Sequence, residues 1–524
     1  MGGVFEQIYS YAYDDADDTL TSLTVQNGSS TNTISYSYDY LKRLSTKSYG
    51  NFTQTYNYKM LSETRTSTLI DEFKWTMGNT ELRYNYTYDN LGNIQKIFKD
   101  GVEAVNYAYD EQGQLLLEYN TAAQMFYMYH YDTYGNIRDV DIDDISDGTI
   151  DIGNGDDYVY NDPTWLDRLT AFNGVPITYD NAGNPLSYYN GSAYTLTWQN
   201  GRELATATKG EVTSSYKYNI DGQRVQKTVG NVVYDYYYAD GLLVRQTWGN
   251  NYIDFIYDES GIFSFVYNGT QYYYIKNLQG DVVAISNASG TILVEYVYDA
   301  WGDVFSITGT EASTIGTVNP IRYRGYYFDT DTEFYYLNSR YYDPEIRRFI
   351  NADTYVNVNG DFIGFNMYAY CLNNPVMYTD YTGESAVSAL KLWSSTMWWL
   401  VAIDGFLPIG DIIYVAGTIA MAIGAIYTTV NTIEVITHKF SESSNDTDKD
   451  ESKDNTHSLP TKGNPNSDQD LYDESGELKQ RRHYGPDGRA EYDIDYKHPG
   501  ENHKFPHRHN WDWSKNPPRS GPIY

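Results

Sequence analysis

An alternating pattern of tyrosine and other residues recurs along most of the chain. It reads Tyr-x-Tyr followed by Asp or Asn, and then usually a glycine and an apolar residue, as in YTYDNLGNI, which ends at Ile94, and YKYNIDGQRV, which ends at Val225. Because the side chains of a strand alternate between its two faces, both tyrosines share one face. The aspartate and the Asn-Gly or Asp-Gly pair are typical of a tight turn. Each copy therefore predicts a β-hairpin.

The copies follow one another at a nearly constant spacing. Between Tyr160 and Tyr257 the equivalent aromatic residues recur every 19 or 20 residues, and from Tyr88 the next two steps are 21 and 22 residues. A hairpin of this size cannot bury a face alone, whereas successive hairpins can join into a continuous sheet. The pattern predicts a mainly β fold in which residues 1–303 form stacked hairpins.

The composition agrees with this pattern and narrows the range of functions. The chain has 524 residues, with 58 tyrosines and 42 glycines, and 41% of its residues are apolar, enough for a core. A net charge of −33 excludes binding of the whole chain to nucleic acid or to an anionic membrane. The single cysteine, Cys371, excludes an intramolecular disulfide framework and a cysteine-based zinc site.

The N-terminal sequence MGGVFEQIYSYAYDD has neither the basic region nor the apolar region of a secretory signal. We therefore expect a secreted or cell-surface protein that leaves the cell by a non-classical route, through dedicated secretion machinery. The alternative is that export depends on an N-terminal part missing from this sequence.

The repeated residues resemble the YD (RHS) repeats of bacterial Rhs and YD-repeat proteins, roughly from Tyr9 to Asp303. The resemblance implies a β-hairpin shell that encloses a toxic C-terminal segment. It also implies an Rhs-family polymorphic toxin used in competition between bacteria. The alternative from the residues alone is a non-enzymatic cell-surface YD-repeat protein.

The segment from Asn319 to Asp353 is denser in tyrosine, phenylalanine and arginine than the repeats. With its continuation to Glu384 it is similar to the RHS repeat-associated core domain, which we assign to residues 304–384. Four of its arginines are expected to stack on tyrosine faces: Arg322, Arg324, Arg340 and Arg348.

In some members of that family the core domain cleaves its own chain through two aspartates, and the matching positions here are Asp353 and Asp380. Paired carboxylates can share one proton, so that one acts as a base and the other as an acid. Four residues depart from the family pattern. Thr354 and Tyr381 replace its two prolines, Val356 replaces a glycine, and Glu384 replaces the leucine of the cleavage site. Two interpretations stay open: self-cleavage, or two aspartates that only cap turns.

Residues 385–440 are strongly apolar, and Ile412–Val430 is a run of 19 uncharged residues. That length suits a membrane helix. We expect a helical hairpin with one of two roles. It is either membrane-active, so that the toxin acts through membrane contact, or buried as a pre-toxin segment. Residues 441–458 are polar and charged, as in a flexible linker, and they separate residues 459–524 as a module of its own.

The last module is rich in histidine and arginine and predicts three strands between Leu471 and Tyr496. It resembles polymorphic toxin type twenty-four in QRRHYGPDGRAEYDIDYKH and FPHRHNWDW. The resemblance implies a small β-rich toxin domain that is neutralised by a cognate immunity protein.

Residues suited to proton transfer and to phosphate binding cluster in this module. The candidate catalytic residues are His507, His509, His498, Asp493, Asp495, Arg489 and Arg508. As an acid and base pair, two histidines would cleave RNA without a cofactor while an arginine holds the phosphate. As metal ligands, His507 and His509 would instead hold Zn²⁺ or Mn²⁺ together with Asp495 or His498.

Overall fold

A computed structural model describes residues 7–14, 19–28, 30–63, 65–353, 365–384, 387–388, 433–434, 462, 467–472, 478–484, 489–495 and 507–511. The chain divides by its internal contacts into two compact units, Met1–Ile436 and Thr437–Tyr524, called here the repeat unit and the tip unit. Strands account for 60% and helices for 4% of the structure. The predicted mainly β fold is confirmed.

The first half of the repeat unit is one long antiparallel sheet in which each strand pairs with its neighbours in the chain. Its strands are β1 (Gln7–Tyr13), β2 (Leu20–Asn27), β3 (Ser30–Tyr38), β4 (Leu44–Tyr49), β5 (Phe52–Ser62), β6 (Arg65–Met77), β7 (Thr80–Tyr88), β8 (Ile94–Lys99), β9 (Val102–Tyr109), β10 (Leu115–Asn120), β11 (Met125–Tyr131), β12 (Ile137–Asp144), β13 (Gly155–Val159), β14 (Ala171–Phe172) and β15 (Val175–Pro176).

The second half repeats this arrangement in a fourteen-stranded sheet, again in chain order. Its strands are β16 (Thr178–Tyr179), β17 (Pro185–Tyr189), β18 (Ala193–Gln199), β19 (Glu203–Lys209), β20 (Val212–Tyr218), β21 (Arg224–Val229), β22 (Val232–Ala239), β23 (Leu242–Trp248), β24 (Asn251–Asp258), β25 (Gly261–Tyr267), β26 (Thr270–Lys276), β27 (Val282–Ser286), β28 (Ile292–Tyr298) and β29 (Val304–Thr308). The last strand lies beyond residue 303, where the sequence predicts the end of the repeats.

The core segment, residues 319–384, adds short elements to the repeat unit. They are β30 (Tyr327–Asp329), β31 (Phe334–Leu337), β32 (Arg340–Asp343) and β33 (Arg348–Phe349) in one sheet, and β34 (Tyr378–Thr379), which pairs with β35 (Val387–Ser388). Farther along, β36 (Ile433–Glu434) pairs with β6. The described helices are one α-turn, α1 (Ile315–Val318), and 3-10 turns at Ile145–Asp147, Tyr323–Gly325 and Cys371–Asn373.

The aspartate of each repeat builds the turn that follows its strand. In one example, Oδ1 of Asp89 accepts hydrogen bonds from the backbone N–H groups of Leu91 (2.9 Å) and Asn93 (2.8 Å). Gly92 completes the turn with a φ of 87°, in the left-handed region that favours glycine. The same pair of contacts recurs at Asp39, Asp110, Asp132, Asp180, Asn219, Asn287 and Asp299. The turns predicted from the Tyr-x-Tyr-Asp pattern are confirmed.

In most hairpins the tyrosine that comes before the turn bonds to an earlier segment of the chain. The hydroxyl of Tyr109, for example, donates to the carbonyl oxygen of Ile94 at 2.6 Å, and Ile94 opens β8 five residues after the turn aspartate. Ten tyrosines make this contact, called here the tyrosine tie, over 2.6 to 3.0 Å: Tyr38, Tyr58, Tyr88, Tyr109, Tyr131, Tyr179, Tyr218, Tyr238, Tyr257 and Tyr298.

The core segment binds the glycine carbonyls of successive turns. Asn374 donates to the carbonyl oxygen of Gly113 and Asn373 to that of Gly135, both at 2.7 Å. The hydroxyls of Tyr368 and Tyr335 reach the carbonyl oxygens of Gly183 and Gly302, each at 2.9 Å. Turns from distant repeats therefore meet one continuous segment, which belongs to the same buried core as the strands.

Three of the four core arginines lie over tyrosine rings, as the sequence predicts. The guanidinium carbons of Arg322, Arg324 and Arg348 are 5.7, 4.9 and 5.0 Å from the ring centres of Tyr296, Tyr323 and Tyr160. For Arg340 the prediction of stacking on a tyrosine is wrong, because its guanidinium carbon lies 3.5 Å from the ring centre of a phenylalanine, Phe349. A flat ring of either kind accepts the planar cation.

The described residues of the tip unit form a four-stranded antiparallel sheet. Its strands are β37 (Ser467–Tyr472), β38 (Leu478–Tyr484), β39 (Ala490–Asp495) and β40 (His507–Asn510). β38 and β39 lie within the stretch predicted to form strands, Leu471–Tyr496, whereas β37 begins four residues before it. The turns that the sequence predicts at residues 475–476 and 486–488 lie outside the described residues.

Candidate functional site

The core segment brings the two aspartates singled out from the sequence to a single arginine. Nη2 of Arg340 lies 2.9 Å from Oδ2 of Asp353 and 3.4 Å from Oδ2 of Asp380. The side chains are buried, with 6% of Arg340, 13% of Asp353 and 3% of Asp380 exposed. Arg340 opens β32, and its other terminal nitrogen donates to the carbonyl oxygen of Met367 at 3.1 Å. These contacts fix both carboxylates beside one cation.

The same groups hold the peptide bond between Gly383 and Glu384 from both sides. Nε of Arg340 donates to the carbonyl oxygen of Gly383. Oδ1 of Asp380 accepts from the N–H groups of Gly383 at 2.8 Å and Glu384 at 3.1 Å. We call Arg340, Asp353, Asp380, Gly383 and Glu384 the Arg340 site.

Position 383 requires glycine in this conformation. Its φ is 75°, and a Cβ there would lie 2.7 Å from the carbonyl oxygen of Leu337 and from Oγ of Ser339. The loop is also tied to Ser339, whose hydroxyl donates to the carbonyl oxygen of Thr382 at 2.7 Å. The backbone is therefore pressed against the turn between β31 and β32.

Burial controls the electrostatics of the Arg340 site. Burial lowers the pKa of Arg340 below its usual range, although Asp353, Asp380 and Glu384 act in the opposite direction. Burial raises the pKa of Glu384, and repulsion from Asp353 and Asp380 adds to the rise. Two carboxylates and a third nearby therefore compete for one cation in a site of low polarity.

The contacts of Asp380 also agree with the alternative interpretation, in which this aspartate caps a turn. Its Oδ1 accepts hydrogen bonds from the N–H groups of the residues three and four positions ahead. Of the positions that depart from the family motif, Tyr381 packs edge-on against Tyr326 at 6.2 Å, and burial raises its pKa to about 12. Thr354 and Val356 lie outside the described residues. Sequence reasoning named Arg340 only for ring stacking and missed it as the partner of both aspartates, because its distance from them along the chain gives no signal.

In the tip unit, the register between β39 and β40 sets the predicted site residues opposite one another. Asp493 pairs with His509 and Asp495 with His507, so these four positions share one face of the sheet. Arg508 pairs with Ile494 between them and therefore occupies the opposite face.

Asp493 is engaged in an ion pair. Its oxygens accept from Nε and Nη2 of Arg482 at 2.6 and 3.0 Å, and none of its side chain is exposed. The guanidinium of Arg482 lies 4.6 Å from the ring of Trp511. A bidentate arginine pair of this kind fixes the orientation of the carboxylate. Sequence reasoning missed Arg482 as the partner of Asp493, because the strand register that pairs the two residues is known only from the structure.

The other two residues predicted for this site, Arg489 and His498, are not part of the pairing between β39 and β40. Arg489 is exposed, and its backbone bridges to Lys462. His498 lies outside the described residues. Among the residues that the structure describes, no group of three or more His, Cys, Asp or Glu side chains is arranged to hold a metal ion.

The predicted helical hairpin at 385–440 lies outside the described residues, apart from the short strands β35 and β36. None of the helices in the described part of the chain is both long and apolar enough to cross a bilayer.

Comparisons with known proteins agree with the architecture. The Teneurin YD-shell family model matches residues 251–376. The tRNA3(Ser)-specific nuclease WapA of Bacillus spizizenii is 37% identical over 264 residues, which cover 49% of this chain and 11% of the nuclease. Double-stranded DNA deaminase toxin A of Burkholderia cenocepacia is 25% identical over 391 residues, which cover 67% of this chain and 26% of the toxin.

Among solved structures, the Tc holotoxin pore of Photorhabdus luminescens is similar with a TM-score of 0.53 and 18% identity, covering 73% of this chain and 20% of that chain. This likeness shows a shared fold, and this chain spans only a minor part of each of these proteins. Turn aspartates, tyrosine ties and a core segment that binds the turns together define a YD-repeat shell. The family model and the relatives support a likeness to Rhs-type YD-repeat toxins over this part of the chain.

Proposed function

We propose that this chain is a polymorphic toxin used in competition between bacteria, with the repeat unit as carrier and the tip unit as effector. The observation that carries the proposal is a YD-repeat unit followed by a separate compact unit with its own sheet. The names of two relatives, a nuclease and a deaminase toxin, support it. Such a toxin leaves the cell through secretion machinery and is neutralised in its producer by a cognate immunity protein.

The proposed reaction of the tip unit is RNA cleavage. One of His507 and His509 removes the proton of a ribose 2′-hydroxyl, whose oxygen then attacks the phosphorus, and the other protonates the departing 5′-oxygen. The products are a 2′,3′-cyclic phosphate and a free 5′-hydroxyl. Asp495, opposite His507 in the sheet, orients that histidine, and Arg489 offsets charge on the phosphate.

Asp493 is assigned a positioning role in this mechanism. Its carboxylate is occupied by Arg482, which in turn stacks on Trp511. We expect it to fix the strand opposite His509 rather than to transfer a proton.

The proposed function is tested by expressing the full chain in bacteria with and without the gene that follows it. We expect growth arrest by the native chain, relief by the product of the following gene, and loss of arrest in His507→Ala and His509→Ala. The matched control is His130→Ala, a change at a histidine of the repeat unit that bonds to Asp141. If both tip variants stay fully toxic, the assignment of His507 and His509 as catalytic residues is wrong.

A second activity is favoured by the geometry of the Arg340 site. We propose that the core segment cuts its own chain at the bond between Gly383 and Glu384. Asp353, the more exposed aspartate, takes a proton from water, whose oxygen attacks the carbonyl carbon of Gly383. Arg340 stabilises the negative charge on the carbonyl oxygen. Asp380 carries its proton on Oδ2, since Oδ1 accepts from the backbone N–H groups, and gives that proton to the nitrogen of Glu384 as the bond breaks.

Mass spectrometry of the incubated full chain tests this activity. We expect a new N-terminus at Glu384, which disappears in Asp380→Asn and persists in the exposed turn variant Asp221→Asn. A native chain that stays intact, with an unchanged circular dichroism spectrum, limits Asp380 to its role as a turn cap.

A further inference from the structure

A cavity of about 590 Å³ lies in the repeat unit, between the last strand of the second sheet and the core segment. Its walls are the turn between β17 and β18, the strand β29, and core residues in and around β30 and β32. Three of the lining residues, Gly191, Thr330 and Glu333, are exposed, so the cavity is open to solvent. Its size is that of sites that hold small molecules. We call it the Arg322 cavity.

Arg322 brings a buried positive charge to this cavity. The residue is 4% exposed, and its guanidinium carbon lies 4.4 Å from the ring centre of Phe328. Within the part of the chain that the structure describes, the guanidinium makes no ion pair or hydrogen bond, and its Nε is buried without a partner. The backbone is fixed, since the N–H of Arg322 donates to the carbonyl oxygen of Tyr326 at 3.1 Å. Stacking on a ring leaves the N–H groups at the edge of the guanidinium available to an anion.

Carboxyl groups line the same cavity as Arg322. Glu345 is half-buried, and its carboxyl group makes no hydrogen bond or ion pair with any described residue. Asp303 likewise forms no ion pair in the described part of the chain, whereas Asp343 already accepts a hydrogen bond from the hydroxyl of Tyr188 at 2.7 Å. Burial raises the pKa of Glu345 to about 7, and repulsion from Asp303 adds to the rise. Charges of opposite sign therefore line one cavity and do not pair with each other.

We propose that the Arg322 cavity binds a small zwitterion, such as a free amino acid. Its carboxylate pairs with Arg322, and its ammonium group pairs with Glu345 and Asp303. Charges that are buried in proteins are normally paired, and one ligand of this kind supplies a partner to each of these groups. An anion alone would meet two carboxyl groups, and a cation alone would meet the guanidinium. Phe305 and Phe328 also line the cavity and offer apolar surface to the carbon chain of the ligand.

Three zwitterions that separate their two charges by increasing lengths serve as probes: glycine, 4-aminobutanoate and 6-aminohexanoate. Each is titrated into the full chain at pH 8 by isothermal titration calorimetry, because Glu345, with a pKa of about 7, is mostly charged there. Hexanoate and hexylamine, which each lack one of the two charges, are the control ligands. The variants are Arg322→Gln and Glu345→Gln. The matched control is Arg138→Gln, at an arginine whose side chain is 61% exposed.

We expect saturable binding of at least one zwitterion, with one molecule per chain. Binding should be at least about tenfold weaker for a ligand that lacks either charge, and for either variant of the cavity. Arg138→Gln should leave it unchanged. Circular dichroism shows whether each variant is folded, and if Arg322→Gln unfolds the chain, the half-buried Glu345→Gln decides.

Absence of binding by all three zwitterions overturns the proposal. Binding of hexanoate or hexylamine as tight as that of 6-aminohexanoate also overturns it, because a single charge would then be sufficient. The same holds for unchanged binding by the folded variants, since the ligand would then lie elsewhere on the chain.

Discussion

At the scale of single residues, the tyrosine and the aspartate of each repeat have separate roles. The aspartate satisfies the N–H groups of its own turn, as Asp89 does for Leu91 and Asn93. The tyrosine bonds to the neighbouring strand, as Tyr109 does to Ile94. The sequence predicts the turn because its partners are two and four residues away. It does not predict the tie, because that partner depends on which strand lies alongside.

The tie has a measurable effect on stability. Tyr109→Phe removes the hydroxyl and leaves the carbonyl of Ile94 without its 2.6 Å hydrogen bond, so we expect a loss of about 1–2 kcal/mol in the free energy of unfolding. Denaturant unfolding followed by tryptophan fluorescence measures it. The control Tyr134→Phe, at a tyrosine that is 53% exposed, should change the midpoint little. Equal midpoints for both variants would show that the tie adds nothing.

Buried charges join the core segment to the repeats. The carboxylate of Asp329 accepts two hydrogen bonds from Arg224 and one from Lys227 at 2.6 Å, and its side chain is fully buried. Burial alone would raise the pKa of Asp329, but Arg224 and Lys227 hold it below its usual range. Arg224 therefore relies on Asp329 for its ion pair, whereas Lys227 also pairs with Asp331 at 2.6 Å.

We predict that Asp329→Asn destabilises the repeat unit by about 3–5 kcal/mol, because it leaves the buried guanidinium of Arg224 without its ion-pair partner. Thermal unfolding by circular dichroism is the measurement. Glu81→Gln, which breaks the exposed pair with Lys74, is the matched control and should shift the midpoint little. A similar shift in both variants would contradict the role given to Asp329.

At the scale of elements, the turns are the parts that the core segment recognises. Gly92 and Gly302 occupy the same position of two turns, with φ values of 87° and 93°. A Cβ at Gly92 would meet nothing within 4 Å, whereas one at Gly302 would lie 2.5 Å from the ring of Tyr323. The sequence predicts both turns equally well but cannot tell them apart, since the difference comes from the packed core segment.

This pair gives a prediction with its own control. Gly92→Ala should cost about 1–2 kcal/mol for the left-handed backbone alone, and Gly302→Ala should cost a further 1–3 kcal/mol or so for the clash with Tyr323. Urea unfolding of the two variants measures the difference. Equal losses would mean that the core segment does not press on the turns.

At the scale of the whole molecule, the interior contains acids as well as tyrosines. Burial raises the pKa of Glu118 to about 7, although bonds from Ala300 and Asn120 favour its charged form. Burial also raises the pKa values of Asp343 and Glu345 to about 7. These groups come from a repeat strand and from the core segment, so their protonation affects the contact between the two. These buried acids could not be predicted from composition, because the number of acidic residues does not indicate which carboxylates are buried.

The pH dependence of stability follows from these shifts. A carboxyl whose pKa is higher in the folded chain binds its proton more tightly there, so its stabilising effect is complete below the ordinary pKa and is lost as the pH rises through about 7. We expect the unfolding midpoint of the repeat unit to fall between pH 5 and pH 8, over a window set by these cited values. In Glu118→Gln the decline should be shallower. A midpoint that rises with pH over this range would contradict the assignment.

The β-hairpin repeats could be predicted from the sequence because they are a local pattern. The site proposed in the tip unit stays a prediction that rests on residue types. Its pairing of Asp495 with His507 depends on strand register, and the engagement of Asp493 by Arg482 depends on a neighbouring strand.

The most direct test of the proposed function is the cleavage of RNA by the purified full chain in EDTA, with sequencing of the product ends. We predict fragments with 2′,3′-cyclic phosphate and 5′-hydroxyl ends from the native chain and the His130→Ala control. We expect cleavage by His507→Ala and His509→Ala to be at least about a hundredfold slower, the order of effect expected for a lost proton-transfer group. Intact RNA with the native chain, or cleavage that returns only when Zn²⁺ or Mn²⁺ is added, would contradict it.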